Sequence, residues 1–128
     1  MIELHQVDED FLALPLDAIS ESAISTAKGL GASHVDVRVE RVRTGILAIR
    51  NTATETQADN STSGVGVRVI VNGCWGFASA PEISTGVAAD LARKAVAMAK
   101  TSKTLATTEV SRGGEPGYAK KVWLRGEE

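Results

Sequence analysis

Few side chains in this sequence are equipped for chemistry, and their spacing keeps them apart. Cys74 is the only cysteine, and His5 and His34 are the only two histidines. A cysteine nucleophile needs a base, for which His34 is the candidate, and an electropositive, partly exposed setting that favours the thiolate. Valine, glycine and tryptophan surround Cys74, a context that suits a buried structural thiol. The same cysteine and the two histidines match no zinc-ligand spacing, since neither His-x-x-x-His nor Cys-x-x-Cys occurs. Asp36 and Glu40 fall on one face of a strand, where solvated charge is commoner than paired-carboxylate catalysis. Gly64-x-Gly66 resembles a phosphate loop in composition only, because it opens a strand and no helix follows it. No residue of the chain is therefore assigned to catalysis, and none to a metal.

The remaining chemistry is that of recognition. Arg68, Trp75 and Phe77 lie in the run GVGVRVIVNGCWGFAS, from Gly64 to Ser79. Val65, Val67, Val69 and Val71 alternate there, Asn72-Gly73 supplies a two-residue turn of positive φ, and Trp75 and Phe77 alternate on the return strand. With Asn72 and Gly73 as the loop, Val71 pairs with Cys74, Val69 with Gly76 and Val67 with Ala78. Cross-strand partners share a face, so Cys74 joins the valines. The opposite face holds Arg68, Ile70, Trp75 and Phe77, with Arg68 opposite Phe77 and placed for a cation–π contact. Gly76, opposite Val69, leaves room for a helix, which puts the helices on the valine face. The aromatic face has two readings: a small core covered by the tail through Val122 and Trp123, or an exposed surface for another domain or chain.

The elements that carry this hairpin follow from periodicity. Met1 to Leu14 lacks a period and reads as an N-terminal arm. After Pro15, the spacing of Leu16, Ile19, Ala23, Ala27 and Leu30 predicts an amphipathic helix that stops at Gly29 and Gly31. Val35, Val37 and Val39 then alternate with Asp36, Arg38 and Glu40, the pattern of a half-buried strand. Thr44-Gly45 reads as a turn, Ile46 to Arg50 as a second strand, and Thr52 to Thr62 as a third, polar one at a sheet edge. Beyond the hairpin, Ser84 caps a helix running to about Lys103. Its inner stripe is Val87, Leu91, Ala95 and Met98, flanked by alanines, and Asp90 and Lys94 pair on the outside. Residues 104–128 read as a linker and docking tail. The sum is a two-layer α+β domain over residues 15–103: a mainly antiparallel sheet with two amphipathic helices on one face.

Length and charge narrow the class. At 128 residues the chain is one domain, able to fold without disulfides or metal. Fourteen basic against sixteen acidic residues give a net charge of −2, mixed along the chain, so nucleic acid and anionic membranes are not expected partners. The single cysteine suits a reducing compartment, and no stretch has the pattern of a secretion signal or a membrane span. A soluble cytoplasmic protein is expected.

The run GASHVDVRVERVRTGILAIRN, followed by SGVGVRVIVNGCWGFAS and ISTGVAADLARKAVAMAK, resembles the N-terminal domain of the TldD/PmbA family. The family is described as zinc metalloproteases and as modulators of DNA gyrase. The resemblance covers roughly Leu16 to Lys103 and is most specific in GVGVRVxVxGxWGFAS. It implies an α+β domain joined to a larger C-terminal domain, with subunits pairing around a proteolytic cavity. In proteolytic members a His-Glu-x-x-x-His helix of the C-terminal half supplies zinc ligands and the catalytic glutamate. This chain contains no His-Glu pair, so the resemblance carries over no catalytic or metal residue, and zinc is expected only in the C-terminal domain. What it implies is an assembly or substrate-shaping domain, inactive alone. Its partner would be a catalytic domain or a subunit of the same family in a homo- or hetero-oligomer, and peptide substrate would enter only the full assembly. The alternative is an independent interaction module that uses the Arg68, Trp75 and Phe77 face or an edge strand; the other is a cysteine-dependent enzyme.

Overall fold

The computed structural model describes residues 9–121. In chain order these form α1 (Glu9–Leu12), α2 (Leu16–Gly29), β1 (His34–Arg50), β2 (Ala53–Val71), β3 (Cys74–Ala80) and α3 (Thr85–Lys103). The strands make one antiparallel sheet in the order β1-β2-β3. Both long helices lie on the valine face, giving the two-layer α+β arrangement read from the sequence.

The β2–β3 hairpin has the predicted register throughout: Val71 pairs with Cys74, Ile70 with Trp75, Val69 with Gly76, Arg68 with Phe77 and Val67 with Ala78. Asn72 and Gly73 take φ of 51° and 75°, the left-handed pair a two-residue hairpin requires. Gly76 is where α3 comes nearest. A Cβ built there would lie 1.9 Å from the backbone oxygen of Ala95, so only glycine admits the helix at this separation.

The β1–β2 connection differs from expectation. Thr44-Gly45 does not turn the chain; both residues lie inside β1, opposite Asn60 and Asp59. The turn falls at Asn51 and Thr52, at φ 48° and 64°, with the Thr52 hydroxyl 2.6 Å from the Asn51 carbonyl oxygen. The two short strands expected before it are one, and the polar third strand is the first half of β2. A register shift between Ala48 and Ile49 marks a bulge near the tip. Beyond Val65, where β3 stops pairing, β1 and β2 continue as a two-stranded arm with exposed Val42, Ile46, Leu47 and Ile49.

Between sheet and helices the core consists of Ile19, Ala23 and Ala27 of α2, Val65, Val67, Val69 and Val71 of β2, and Ala88, Leu91, Ala92, Ala95, Val96 and Ala99 of α3. Burying each valine contributes about 1.5–3 kcal/mol, and the alanines let both helices sit close to the sheet and to each other. The Ser22 hydroxyl donates to the Thr85 carbonyl at 2.9 Å, joining α2 to the start of α3. Ser84 caps α3 as expected, its hydroxyl accepting from the Val87 amide at 3.2 Å. Two helix details are corrected. Met98 is exposed, its sulfur accepting from the Phe77 amide on the outer edge of β3, and Val96 fills the core instead. Asp90 pairs with Arg93 at 2.6 Å rather than with Lys94, because the nearer guanidinium reaches it one turn on.

Within the segment read as an arm, α1 forms a single turn. Val122 and Trp123, read as the cover of the aromatic face, lie outside the described residues. Among the described residues no helix is long and apolar enough to cross a membrane.

Candidate partner-binding face

The side chains pointing away from the helices form rows across the three strands. His34, Ile70 and Trp75 make one row, Asp36, Arg68 and Phe77 the next, Arg38, Gly66 and Ser79 a third, and Glu40 and Gly64 close the series. All three residues singled out from the sequence, Arg68, Trp75 and Phe77, therefore meet on one surface, with Trp75 and Phe77 37% and 53% exposed.

Arg68 organises that surface. Its Nε and Nη2 donate to Asp36 Oδ2 at 2.9 and 2.6 Å, and its guanidinium carbon lies 4.7 Å from the centre of the Trp75 ring. The expected stack on Phe77 does not form. Asp36, the cross-strand neighbour of Arg68 on β1, anchors the head group over the indole instead, a contact that adds about 0.5–1 kcal/mol at an exposed site. The ring of His34 meets Trp75 edge-on, with centroids 6.2 Å apart. Burial raises the Asp36 pKa, but hydrogen bonds and charge from Arg68 and His34 outweigh it and hold the carboxyl below its ordinary value of 3.8. Asp36, read as a solvated charge, is thus the fixed point of the row.

Beside this cluster lies an open groove of about 770 Å³ lined by Arg38, Glu40, Gly64, Gly66, Phe77 and Ser79. Both glycines are closely covered: a Cβ at position 64 would lie 2.8 Å from the Ala80 carbonyl oxygen. A Cβ at position 66 would come within 3.3 Å of the Phe77 ring, which leans over the glycine.

The other candidates separate. Cys74 is buried on the valine face, whereas His34 lies on the opposite face against Trp75 and Asp36, so the sheet stands between the thiol and its suggested base. His34 and Asp36 do approach one another, with Nε2 2.9 Å from Oδ1. Both are also engaged by arginines, Asp36 by Arg68 and His34 by Arg112, whose Nη1 is 2.9 Å from the same Nε2. A site lined by two guanidinium groups does not fit a zinc ion. Among the described residues, no three His, Cys, Asp or Glu side chains gather as a metal site would require.

Residues 105–121 fall within the segment read as a linker and docking tail. They contain neither helix nor strand, yet the Val110 amide donates to the Gly73 carbonyl at 2.8 Å, Glu109 bonds Lys103, and Arg112 reaches His34. Ile70, on the otherwise open face, is only 2% exposed; it borders a cavity shared with Val110, Arg112, Pro116 and Tyr118. The polar, glycine-rich sequence of this strap gives no periodic signal of such docking.

Residues 35–99 match the family described as PmbA/TldA metallopeptidase domain 1. The chain belongs to this PmbA/TldD metallopeptidase family, as its first domain. The match starts one residue into β1 and ends within α3, so it includes the long arm, the aromatic hairpin and the helix that Gly76 admits. No curated protein matches the chain. The family assignment rests on the segment that builds the sheet and its open face, while α2 and the strap lie outside it.

Proposed function

We propose that this PmbA/TldD domain is the non-catalytic, assembly or substrate-shaping part of a cytoplasmic zinc metallopeptidase, acting in proteolysis by contact with a catalytic domain or partner subunit. The observation that carries the reading is the open face of the sheet: Arg68, Trp75 and Phe77 stand exposed and pre-ordered beside an open groove, on the segment that matches the family. An arginine and two aromatics held in fixed orientation are the residue types that dominate binding energy at interfaces, because little conformational freedom is lost when they are covered. Zinc and the hydrolytic groups belong, in this reading, to the catalytic domain, and peptide reaches this face only in the assembled enzyme.

The experiment is to incubate the purified chain with an unstructured peptide library and zinc, with and without a chelator, and then with the catalytic domain of a PmbA/TldD family member. The chain alone should cleave nothing in a chelator-sensitive way, and adding it should change the rate or selectivity of the catalytic domain. Chelator-sensitive cleavage by the chain alone, free of contaminating protease, would overturn the proposal.

A second reading has an observation of its own. Among the described residues, pairing with β3 reaches β2 only from Val65 onward, so residues 53–64 leave one strand edge open, and β1 leaves the other. A partner strand added there by main-chain hydrogen bonds would make the chain an interaction module through its arm. Loss of binding on substitution in the arm, with Trp75→Ala without effect, would favour this reading.

A further inference from the structure

The strap of residues 105–121 is tied to the sheet at an atom that cannot serve both of its neighbours at once. His34 Nε2 lies 2.9 Å from Asp36 Oδ1 and 2.9 Å from Arg112 Nη1. The carboxylate accepts only, and the guanidinium donates only. Towards Asp36 the nitrogen must carry a proton; towards Arg112 it must offer a lone pair. We propose that His34 is a proton-controlled latch for the strap, closed on Arg112 when the imidazole is neutral with its proton on Nδ1, and open when Nε2 is protonated.

Every element around the ring bears on this balance. β1 supplies Asp36, and β2 supplies Arg68, which already holds Asp36 Oδ2. β3 supplies the edge-on contact with Trp75. The strap supplies Arg112, with Nη1 3.8 Å from Asp36 Oδ1, and Glu115, which Arg112 also bonds. The hydrogen bonds from Arg68 hold Asp36 in its ionised form whichever way His34 is protonated, so the carboxylate waits as acceptor across the neutral pH range. When His34 takes up a proton, Nε2–H turns to Asp36 and the imidazolium faces Arg112 as a second cation. The guanidinium then loses an acceptor and gains a repulsion; its bond to Glu115 lies within the strap, and the longer approach to Asp36 Oδ1 at 3.8 Å is what remains of its tie to the sheet. Losing one charged hydrogen bond shifts the open-to-docked ratio of the strap by about tenfold. The upstream tie, Val110 to Gly73, is unaffected by His34, so release is confined to residues after Arg112.

The test is nuclear magnetic resonance on the intact chain at about pH 8 and about pH 5.5, which span the range in which imidazole side chains exchange protons. Ring nitrogen shifts of His34 should place its proton on Nδ1 at the higher pH. Arg112→Gln should move it to Nε2, because Asp36 is then the stronger partner. Steady-state nuclear Overhauser effects at the Gly113, Gly114 and Gly117 amides should fall on acidification in the wild type. In Arg112→Gln they should be low at both pH values, and in His34→Gln they should not change with pH. A proton on Nε2 in the wild type at pH 8 overturns the proposal, as does a strap equally ordered at both pH values. An acid-induced loss that persists in His34→Gln also overturns it, by assigning the effect to another group.

Discussion

Replacing Gly76 with alanine tests the geometry on which the face assignment depends. The new Cβ would lie 1.9 Å from the Ala95 carbonyl oxygen and 2.9 Å from both the Ala95 carbonyl carbon and the Ala99 amide nitrogen, all backbone atoms of α3. No side-chain rotation relieves such a contact. The helix must retreat by about 1.5 Å to reach ordinary contact distance, and a gap of even about 0.5–1 Å forfeits a quarter to a half of the dispersion energy across it. That gap would open beneath Leu91, Ala92, Ala95 and Ala99, all buried against the sheet or α2. Overpacking of about 1–3 kcal/mol plus this lost contact gives roughly 3–5 kcal/mol, a large part of the 5–15 kcal/mol or so that holds a domain together. In thermal unfolding followed by circular dichroism, Tm should fall by about 10–20 °C. Gly86→Ala is the matched control. It lies in the first turn of the same helix with nothing within 4 Å of its added carbon, so its stability should stay within about 0.5 kcal/mol of wild type or rise. A Gly76→Ala protein within about 0.5 kcal/mol of wild type would refute the close approach of α3, and with it the assignment of the free face.

Cys74, buried beneath the helices, should react slowly with a thiol reagent at neutral pH and speed up only as the chain unfolds; rapid labelling of the native protein would revive the cysteine-enzyme reading. Because Asp36 is held below its ordinary pKa, its ion pair adds stability that is complete above about pH 5 and lost as pH falls through the folded value. The wild-type advantage over Asp36→Asn in urea unfolding should therefore shrink on acidification, and an advantage constant down to about pH 2 would contradict that. Ser84→Ala should cost about 1 kcal/mol by freeing the Val87 amide at the start of α3, as read from denaturant midpoints; an unchanged midpoint would mean that water replaces the cap without penalty.

What was legible in the sequence was local. Asn72-Gly73 and the flanking alternation fix the β2–β3 register, and that register alone sends Cys74 inward and Trp75 outward. The arm was not legible, because Gly45 carries a turn signal that a long ladder overrides, and because Thr- and Ser-rich β2 has little hydrophobic pattern until Val65. With the β1–β2 register unknown, Asp36 had no partner and Arg68 was assigned to its other neighbour, Phe77. Met98 fits the helical stripe by spacing, yet the outer amide of Phe77 draws its sulfur to the sheet edge. Ile70, buried on the outer face, borders a strap forty residues away in sequence that has no periodicity to announce it.

If the Arg68, Trp75 and Phe77 face is a partner surface rather than part of the core, Trp75 is its anchor and is dispensable for folding. Calorimetric titration of the catalytic domain of a PmbA/TldD family member with the wild-type chain and with Trp75→Ala, each checked for folding by circular dichroism, measures both properties. Trp75→Ala should leave the fold unchanged and weaken the Kd by about thirtyfold or more, the loss of an interface anchor worth about 2 kcal/mol. A folded Trp75→Ala chain that binds as tightly as the wild type would contradict it, and so would a Trp75→Ala chain that no longer folds.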